Sequence, residues 1–456
     1  MSNLPAYLTG TAAAGEAFAA AITNLIEIQL PALPEPPVDT VINSESLQCA
    51  LRGEVDIVGV AADSALLHAL FRDYAITASA YLLEPKQRGL PVRTRLPPQI
   101  AKPLWTLAHA LGLPPFLEYT AYCLGNCTLR DGVVNANGQA NARTSNIDWY
   151  SQRLIRQLKG GPEESTFVIV HAEIESHTPA MLRIYADVLA ALDTATSTSG
   201  PLAEPLAEPL TRALVELHGV VSQILASQLK MFNACDPRGY VGLVRPWIFG
   251  TRGNPDFTGG AITFEGVADA ARASKWTLDA SPADAPEPWV TASLRGETGA
   301  QSTIIPSLDA LLGVTHAFDA LRVMLAEIEH YRPTAHRQLL RSLRMRMWGD
   351  ANGSHADAAV ALGIEKRGLS APPPQQADAG CPYATAPNAT TITPTNVHAL
   401  KDALRSLGDR SAIRAYNALV EQVHAFRDIH MSFAELYITR FTDREWGTSP
   451  SAKREA

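Results

Sequence analysis

The sequence is poor in cysteine, in basic residues and in long apolar runs, and each shortage excludes a class of protein. Five cysteines in 456 residues are too few and too scattered for a disulfide framework, so reduced, mostly buried thiols are predicted. Without a membrane-length apolar run or a basic, leucine-rich opening segment, a cytoplasmic location with no membrane contact is expected. The net charge of -8 lacks the excess of Lys and Arg that nucleic-acid binding requires.

Length and composition favour a globular protein of more than one domain. Hydrophobic residues make up 46% of the chain, which is enough for a sizeable core, and 456 residues exceed the usual size of one domain. The polar stretch 131–146, with its Gly, Asn and Ser, indicates a loop. We therefore predict a small N-terminal domain over residues 1–145 and a larger one over 146–456.

Most of the remaining chain shows the spacing of helices. Residues 61–83, 210–232 and 307–331 each predict a long helix, and few strands can be found, so the predicted class is all-α with long loops. Residues 194–210 contain a short tandem repeat and are interpreted as a low-complexity linker. Residues 351–394, rich in Ala, Gly, Pro and Asn, are predicted to form a mobile insert.

The C-terminal stretch 416–437 is typical of one uninterrupted helix. Tyr416, Val423, His430 and Tyr437 fall seven apart and so share one face, which is predicted to be buried. A buried imidazole requires a partner. His430 is either a core histidine bonded to a backbone carbonyl or a haem ligand on a rigid helix with an apolar wall, and spacing leaves both interpretations open.

Six motifs decide between them, because they occur in one order along the chain. They are 113–119 (LPPFLEY), 244–255 (VRPWIFGTRGNP), 299–302 (GAQS), 309–313 (DALLG), 331–337 (YRPTAHR) and 426–430 (FRDIH). In identity and order they resemble the indoleamine 2,3-dioxygenase family, haem enzymes that insert both atoms of dioxygen across the indole C2–C3 bond of tryptophan. The resemblance covers roughly residues 90–440.

The resemblance implies an iron side of the site built around His430. His430 matches the family's proximal haem ligand, and Asp309 and Arg427 match two charged residues near it. Arg427 lies one helical turn before His430, so an ion pair with Asp309 would orient that helix. The alternative is a surface ion pair of little consequence.

The resemblance also implies a substrate side. Arg245 matches the residue that binds the substrate carboxylate, a task suited to a flat guanidinium. Three residues match aromatic residues of the family's pocket: Tyr119, Phe167 and Tyr240, the last at a position where the family has phenylalanine. Without the resemblance, each would be interpreted as core packing. Thr298 matches a loop serine that lies over the haem near the substrate ammonium group. The composition of that loop suggests that it is flexible and orders when substrate binds.

His171 is the informative departure from the family. It occupies a position where the well-known animal members carry serine, whereas the related tryptophan 2,3-dioxygenases place a histidine in that distal role. One nitrogen of a neutral imidazole can accept a hydrogen bond from the indole N–H. The alternative is a histidine turned away from the pocket.

Together these matches imply a haem b dioxygenase of the kynurenine pathway, with His171 and Thr298 as its catalytic residues. The expected small molecules are L-tryptophan, O2 and the product N-formylkynurenine, and the protein is either a monomer or a homo-oligomer. A relative that oxidises another indole, by mono- or dioxygenation in secondary metabolism, is the second interpretation, because Tyr240 and His171 make the pocket more polar. A haem-based oxygen sensor or carrier is the third, although it would have no use for Arg245.

Overall fold

The computed structural model of the chain describes residues 64–87, 89–130, 151–158, 161–197, 203–267, 271–315, 320–348 and 398–442. These residues are mostly helical, which confirms the predicted all-α class. The polar stretch 131–146 and the predicted insert 351–394 lie outside the described residues, and so do Cys49 and Cys381. The cysteines within them, Cys123, Cys127 and Cys235, are free and buried, as predicted.

The longer helices are numbered here in chain order. They are α1 (Ser64–Gln87), α2 (Pro98–Leu111), α3 (Pro162–Ser176), α4 (Thr178–Ser197), α5 (Ala203–Ala234), α6 (Ile304–Leu312), α7 (Ala320–Glu329), α8 (Thr334–Trp348), α9 (Ala399–Leu407) and α10 (Arg410–Ala434).

Helix α5 lies at the centre of the larger helical region, where it packs against α3, α4 and α10. Its buried residues follow helical spacing, because Leu210, Leu214, Leu217, Val221 and Ile224 form one apolar row. Burying a side chain of this size stabilises the fold by about 2 kcal/mol. The row therefore holds the three neighbouring helices, two of which carry site residues, in fixed positions.

The predicted linker over residues 194–210 is wrong for most of its length. Helix α4 continues to Ser197 and α5 already begins at Ala203. The repeat consists of Leu, Ala, Glu and Pro, of which the first three are good helix formers. Pro205 falls in the first turn of α5, where backbone N–H groups have no partner within the helix, so proline is tolerated there.

The single helix predicted over residues 307–331 is also wrong, because the structure has two. Helix α6 ends at Leu312, and Gly313 adopts the left-handed conformation (φ 68°), with its N–H bonded to the carbonyl of Asp309. Glycine reaches this conformation without strain and commonly ends a helix. Val314 and Thr315, which follow Gly313, are not helical, and helix α7 (Ala320–Glu329) is a separate element.

The C-terminal helix is confirmed apart from its last turn. Helix α10 begins after Asp409, whose side chain accepts a hydrogen bond from the Ala412 N–H, and it runs to Ala434. A turn of π-helix, Glu435–Thr439, follows directly. Of the face predicted to be buried, Val423 and Tyr437 are buried, whereas Tyr416 is half-buried and His430 is exposed.

Two small sheets join distant parts of the chain. One has four short strands, in the order β1 (Arg95–Leu96), β4 (Ile262–Glu265), β6 (Trp289–Ala292), β5 (Asp279–Ala280). The other pairs β2 (Cys127–Leu129) with β3 (Gln152–Leu154) in antiparallel register. Strand β1 is parallel to β4, so residues on both sides of position 145 hydrogen-bond to each other. The division into two domains stays a prediction.

No helix of the described ranges combines the length and the apolarity that crossing a membrane requires.

Candidate functional site

A cavity of about 800 Å³ lies between α3, α6, α10 and the loops that follow α5 and β6. Its lining is mostly apolar. All nine residues that the family resemblance predicts for the site line this one cavity: Tyr119, Phe167, His171, Tyr240, Arg245, Thr298, Asp309, Arg427 and His430. They come from six separate segments, which the fold brings together.

His430 lies on a helix that is anchored along its length. The Tyr416 hydroxyl donates to the Leu312 carbonyl (2.6 Å) near one end. Beyond the other end, the Tyr437 hydroxyl lies 2.7 Å from the Cys235 carbonyl. Between them, the His430 side chain is accessible from the cavity rather than packed into the core. Surrounding protein nevertheless lowers the pKa of His430 by desolvation, which favours the neutral imidazole.

Asp309 and Arg427 form an ion pair that links α6 to α10. The side chains are 11% and 28% exposed, so the pair is partly shielded from solvent rather than fully exposed. Arg427 precedes His430 by one turn on the same helix. A fixed guanidinium at this position restrains the rotation of that turn. The orienting role of the pair stays a prediction.

On α3, His171 faces the cavity in a defined tautomer. Its Nδ1 lies 2.7 Å from the Phe167 carbonyl oxygen, which can only accept, so Nδ1 carries the hydrogen. Burial lowers the pKa of His171 to about 4, so the ring is neutral at neutral pH. Its Nε2 is therefore an acceptor, and it lies beside Gly299, where an added Cβ would be 3.5 Å away.

Aromatic rings form a continuous surface around His171. The Phe167 ring centroid is 4.4 Å from that of His171 and 5.1 Å from that of Tyr240. The Tyr119 ring meets His171 edge-on at 5.7 Å. Edge-on and tilted contacts at these distances are favourable between aromatic side chains. A flat apolar ligand would find one face of this surface ready to pack against.

Three turns of π-helix occur at the cavity wall. Tyr119 immediately precedes the first (Thr120–Leu124), and Tyr240 begins the second (Tyr240–Val244). The third (Glu435–Thr439) carries Tyr437. A π-helical turn inserts a residue, shifts the following side chains around the axis and is frequent at functional sites. The sequence patterns, which assume regular helices, contained no sign of these turns.

The loop that carries Thr298 is held by hydrogen bonds on both sides. Buried Arg332 donates to the carbonyls of Ala300 (2.8 Å), Gln301 (3.1 Å) and Ser302 (3.1 Å). The Gln301 side chain accepts from the Tyr119 N–H (2.8 Å). These bonds hold the loop in one position in this structure; its flexibility and its ordering by substrate stay predictions.

Close backbone packing explains two glycines near this loop. A Cβ on Gly296 would lie 1.8 Å from the Ile248 carbonyl oxygen, and one on Gly250 would lie 2.1 Å from the Gly296 nitrogen. Neither distance is possible for real atoms, so both positions require glycine. This contact places the loop against the short helix Arg245–Ile248, which carries the predicted carboxylate-binding arginine.

Arg245 begins that short helix, and its side chain packs over the Phe249 ring with Cζ 4.2 Å from the ring centroid. Burial lowers the pKa of Arg245, while the neighbouring Tyr240 acts in the opposite direction. A guanidinium that has lost part of its water shell binds an anion more strongly than an exposed one. The position suits an anionic group of a ligand in the cavity.

The sequence analysis missed five charged residues that line the cavity: Arg252, Arg295, Glu297, Arg332 and Arg344. Glu297 is 8% exposed, and the Cys123 thiol donates to its Oε1 (3.8 Å). Burial and the nearby carboxylate of Glu118 raise the pKa of Glu297 to about 8. An acidic residue in a loop of small residues, next to Thr298, was the signal that could have indicated it.

The residues present fit a haem. The cavity volume lies within the range of about 300–1,000 Å³ that is usual for small-molecule and cofactor sites. In the described part of the chain, neither ring nitrogen of His430 has a hydrogen-bond partner. A neutral imidazole on a fixed helix beside an apolar cavity is what proximal ligation of haem iron requires.

Comparison with known proteins gives one family. The family model described as indoleamine 2,3-dioxygenase matches residues 70–455. A myoglobin of Haliotis diversicolor is 28% identical over 59% of this chain and 57% of its own length. Indoleamine 2,3-dioxygenase 1 of Rattus norvegicus is 26% identical over 55% of this chain and 52% of its own length. The indoleamine 2,3-dioxygenase of Saccharomyces cerevisiae is 25% identical over 54% of this chain and 49% of its own length. The chain thus spans about half the length of the curated relatives it matches.

Proposed function

Because the chain belongs to the indoleamine 2,3-dioxygenase family, we propose that it is a haem-dependent dioxygenase that cleaves the C2–C3 bond of L-tryptophan to N-formylkynurenine. The observation that carries this proposal is one cavity lined by an accessible, neutral His430, a guanidinium and a fixed hydrogen-bond acceptor. The carboxylate of tryptophan can pair with the guanidinium of Arg245, and its indole N–H can donate to the acceptor nitrogen of His171. In this proposal the product enters the kynurenine pathway.

Each residue has a defined task in this proposal. His430 holds the haem iron, and the Asp309–Arg427 pair keeps the helix turn of His430 oriented. The haem, when bound, supplies the binding and activation of dioxygen. Arg245 binds the substrate carboxylate, and the hydroxyl of Thr298 lies near the ammonium group.

The distal residues orient the indole ring. Phe167, Tyr119 and Tyr240 pack against it and exclude water, and Nε2 of His171 accepts the indole N–H. Because the backbone carbonyl of Phe167 holds the His171 hydrogen on Nδ1, the acceptor points at the ligand without rearrangement. Holding a substrate in one orientation accounts for a large part of enzymatic rate enhancement.

The first test is an anaerobic titration of the ferrous protein with L-tryptophan, followed by admission of isotope-labelled dioxygen. We expect a haem spectrum of histidine ligation, a saturable spectral shift, and a product that carries both labelled atoms. In His430→Gly the haem spectrum should be lost and should return with free imidazole. A haem spectrum indifferent to every indole amino acid would contradict the proposal.

Variants of Arg245 test the binding orientation. Arg245→Gln should weaken L-tryptophan binding by roughly tenfold to a hundredfold, because a charge-assisted bond contributes about 1.5–3 kcal/mol. Tryptamine lacks the carboxylate and should bind both proteins equally. Arg238→Gln, on the exposed surface nearby, is the matched control. An equal loss for tryptophan and tryptamine would mean that Arg245 supports the fold instead.

A second candidate function is reversible oxygen binding without turnover. The matched relatives named myoglobin favour it. It predicts that the ferrous protein binds dioxygen stably and that added tryptophan is not consumed. Oxygen uptake that stays in fixed ratio to tryptophan loss would exclude it.

A further inference from the structure

One buried oxygen atom in the cavity wall has no hydrogen-bond partner. Gln228 lies on α5, is 4% exposed and lines the cavity. Among the described residues that line the cavity, its Oε1 is the one buried side-chain oxygen that accepts from no group. A buried polar atom without a partner lowers stability, so this oxygen indicates a donor that becomes available when the site is occupied.

Contacts between α5 and α10 place Gln228 at the level of His430. The Gln228 amide nitrogen lies 3.4 Å from the carbonyl oxygen of Phe426, four residues before His430. The Phe232 ring stacks on that of Phe433, three residues after His430, with the ring centroids 4.0 Å apart. His430 therefore lies between two contacts to α5, and Gln228 is the α5 residue that brings a polar side chain to the cavity wall.

The contact with Phe426 fixes the orientation of the Gln228 amide. A carbonyl oxygen can only accept, so the amide nitrogen faces Phe426 and Oε1 faces away from it. The same carbonyl also accepts the His430 backbone N–H, because both residues belong to the regular helix α10. With both of its acceptor positions used, this carbonyl is not available to the His430 ring.

A second histidine of the cavity shows how far an imidazole reaches along its own helix. On α3, Nδ1 of His171 lies 2.7 Å from the carbonyl oxygen of Phe167, four residues earlier. Such a bond can form because side chains on a helix lean toward its N-terminus. On α10 the corresponding carbonyl is that of Phe426, where the Gln228 amide lies. Nδ1 of His430 can therefore approach that amide while Nε2 is directed into the cavity.

Among the described residues, most other side-chain acceptors in the cavity wall already have partners. The arginines of the wall only donate. The side-chain oxygens that take part in hydrogen bonds or ion pairs are those of Tyr119, Glu297, Thr298, Ser302, Asp309 and Tyr437. Two acceptors compete with Gln228. One is the Asp309 carboxylate, whose partner Arg427 lies one turn before His430, and the other is the Tyr240 hydroxyl.

We propose that Gln228 is a positioning residue for His430, and that its Oε1 accepts the hydrogen on Nδ1 of His430 when Nε2 binds the haem iron. The inference rests on the haem ligation proposed above and adds the residue that sets the tautomer and ring orientation of the ligand. Metal-bound histidines usually donate their second N–H to a fixed acceptor, and this bond makes the imidazole a stronger electron donor.

Two substitutions of Gln228 separate this role from a packing role. Gln228→Met removes the oxygen and the N–H with little change of volume, whereas Gln228→Glu removes only the N–H and keeps an acceptor. The Fe–His stretching band in the resonance Raman spectrum of the ferrous haem-loaded protein and the midpoint reduction potential both report the donor strength of His430. Gln422→Met is the matched control, because Gln422 bonds to Ser222 (3.0 Å) between the same two helices, outside the cavity lining.

Gln228→Met should shift the Fe–His band to lower frequency, raise the reduction potential and weaken haem binding by roughly tenfold to a hundredfold. Gln228→Glu should keep the band and the potential if its carboxyl is protonated, and shift both the opposite way if it is ionised. Gln422→Met should change neither. Equal shifts in both Gln228 variants, or no shift in either, would mean that Gln228 only packs against α10. A lower band frequency in Asp309→Asn or Tyr240→Phe, without one in Gln228→Met, would identify that residue as the acceptor and overturn the inference.

A measurement on the unmodified protein stands even if a variant does not bind haem. In the diamagnetic complex of the ferrous protein with carbon monoxide, labelled with ¹⁵N in histidine and glutamine, the Nδ1–H of His430 should show a nuclear Overhauser effect to the Gln228 amide hydrogens. Its absence overturns the inference. If His430→Gly leaves the haem spectrum unchanged, the proposed ligation fails and this role with it. If His430 binds the iron but the Gln228 variants leave the band in place, only the role of Gln228 is refuted.

Discussion

Replacing Glu297 by glutamine is expected to stabilise the protein, by an amount that grows as the pH rises. Glutamine has nearly the same shape as a neutral carboxyl, and its side-chain oxygen can still accept from the Cys123 thiol. What the substitution removes is the cost of ionising a carboxyl group in a buried position, next to a second buried carboxyl, Glu118.

The pKa of Glu297 sets the size and the pH range of the effect. Burial raises it from 4.5 to about 8. Below pH 4.5 the group is protonated in the folded and the unfolded chain, so its contribution to stability is fully present there. As the pH rises, the unfolded chain releases the proton first, and the free energy of unfolding falls by about 1.4 kcal/mol per pH unit until the folded group also ionises. Relative to acid pH, the stabilisation by Glu297→Gln is then about 3 kcal/mol at pH 7 and about 5 kcal/mol above pH 8.

Urea unfolding of both haem-loaded proteins at about pH 5, 7 and 8.5 measures this difference. Glu421→Gln, the same change on the exposed face of α10, is the control and should stay within about 0.5 kcal/mol of the unmodified protein. The infrared C=O stretch of a protonated carboxyl, lost in Glu297→Gln, gives a second measurement at neutral pH. Equal pH dependence of stability in the two proteins would refute the argument.

Three further predictions concern the contacts that hold the site together. Arg427→Leu and Asp309→Asn should each speed the release of haem to a scavenger protein, because the free energy of haem binding falls by about 1–3 kcal/mol. The double variant should lose no more haem-binding free energy than the worse of the two single variants. With His171 in place, 1-methyl-L-tryptophan should bind at least tenfold more weakly than L-tryptophan, since the methyl group removes a hydrogen bond and leaves Nε2 unpaired. His171→Ala should remove this difference in affinity. Comparable binding of the two ligands to the unmodified protein would refute the role of His171 as the acceptor of the indole N–H. Arg332→Met leaves three loop carbonyls without their donor and should lower stability by about 3–5 kcal/mol, since each unsatisfied buried carbonyl costs about 1–3 kcal/mol. Hydrogen exchange in the loop from Gly296 to Ser302 should become faster; slow exchange there would show that Arg332 does not hold the loop.

The family resemblance that the six motifs carry was sufficient to name nine of the residues that line the cavity. Each motif is short, but each contains a chemically distinctive residue, such as Arg245 or His430, in a context of prolines, glycines and aromatics. Helical spacing likewise located most of α1, α5 and α10, because side-chain periodicity follows directly from helix geometry. The fold class could therefore be predicted from the chain, whereas the roles of the site residues, which the resemblance implies, stay predictions.

Local exceptions to regular structure could not be predicted in this way. The turns of π-helix at Tyr119 and Tyr240, and the helix through the Pro205 repeat, depend on how segments pack against distant neighbours. The end of α6 at Gly313 had a local signal, because glycine often ends a helix. The apolar pattern that continues beyond Gly313 concealed it.

The chemical state of the site was decided by tertiary structure, because desolvation depends on what surrounds a group in space. In the sequence, Glu297 is an ordinary acid in a loop of small residues; in the fold, Cys123 and Glu118 come from another part of the chain, and burial keeps its proton on near pH 7. From spacing alone, His430 could be a core histidine or a haem ligand; in the fold, the neighbouring segments leave a cavity beside it. Residue identity set which chemistry was available, and packing set the charge of each group and what it faces.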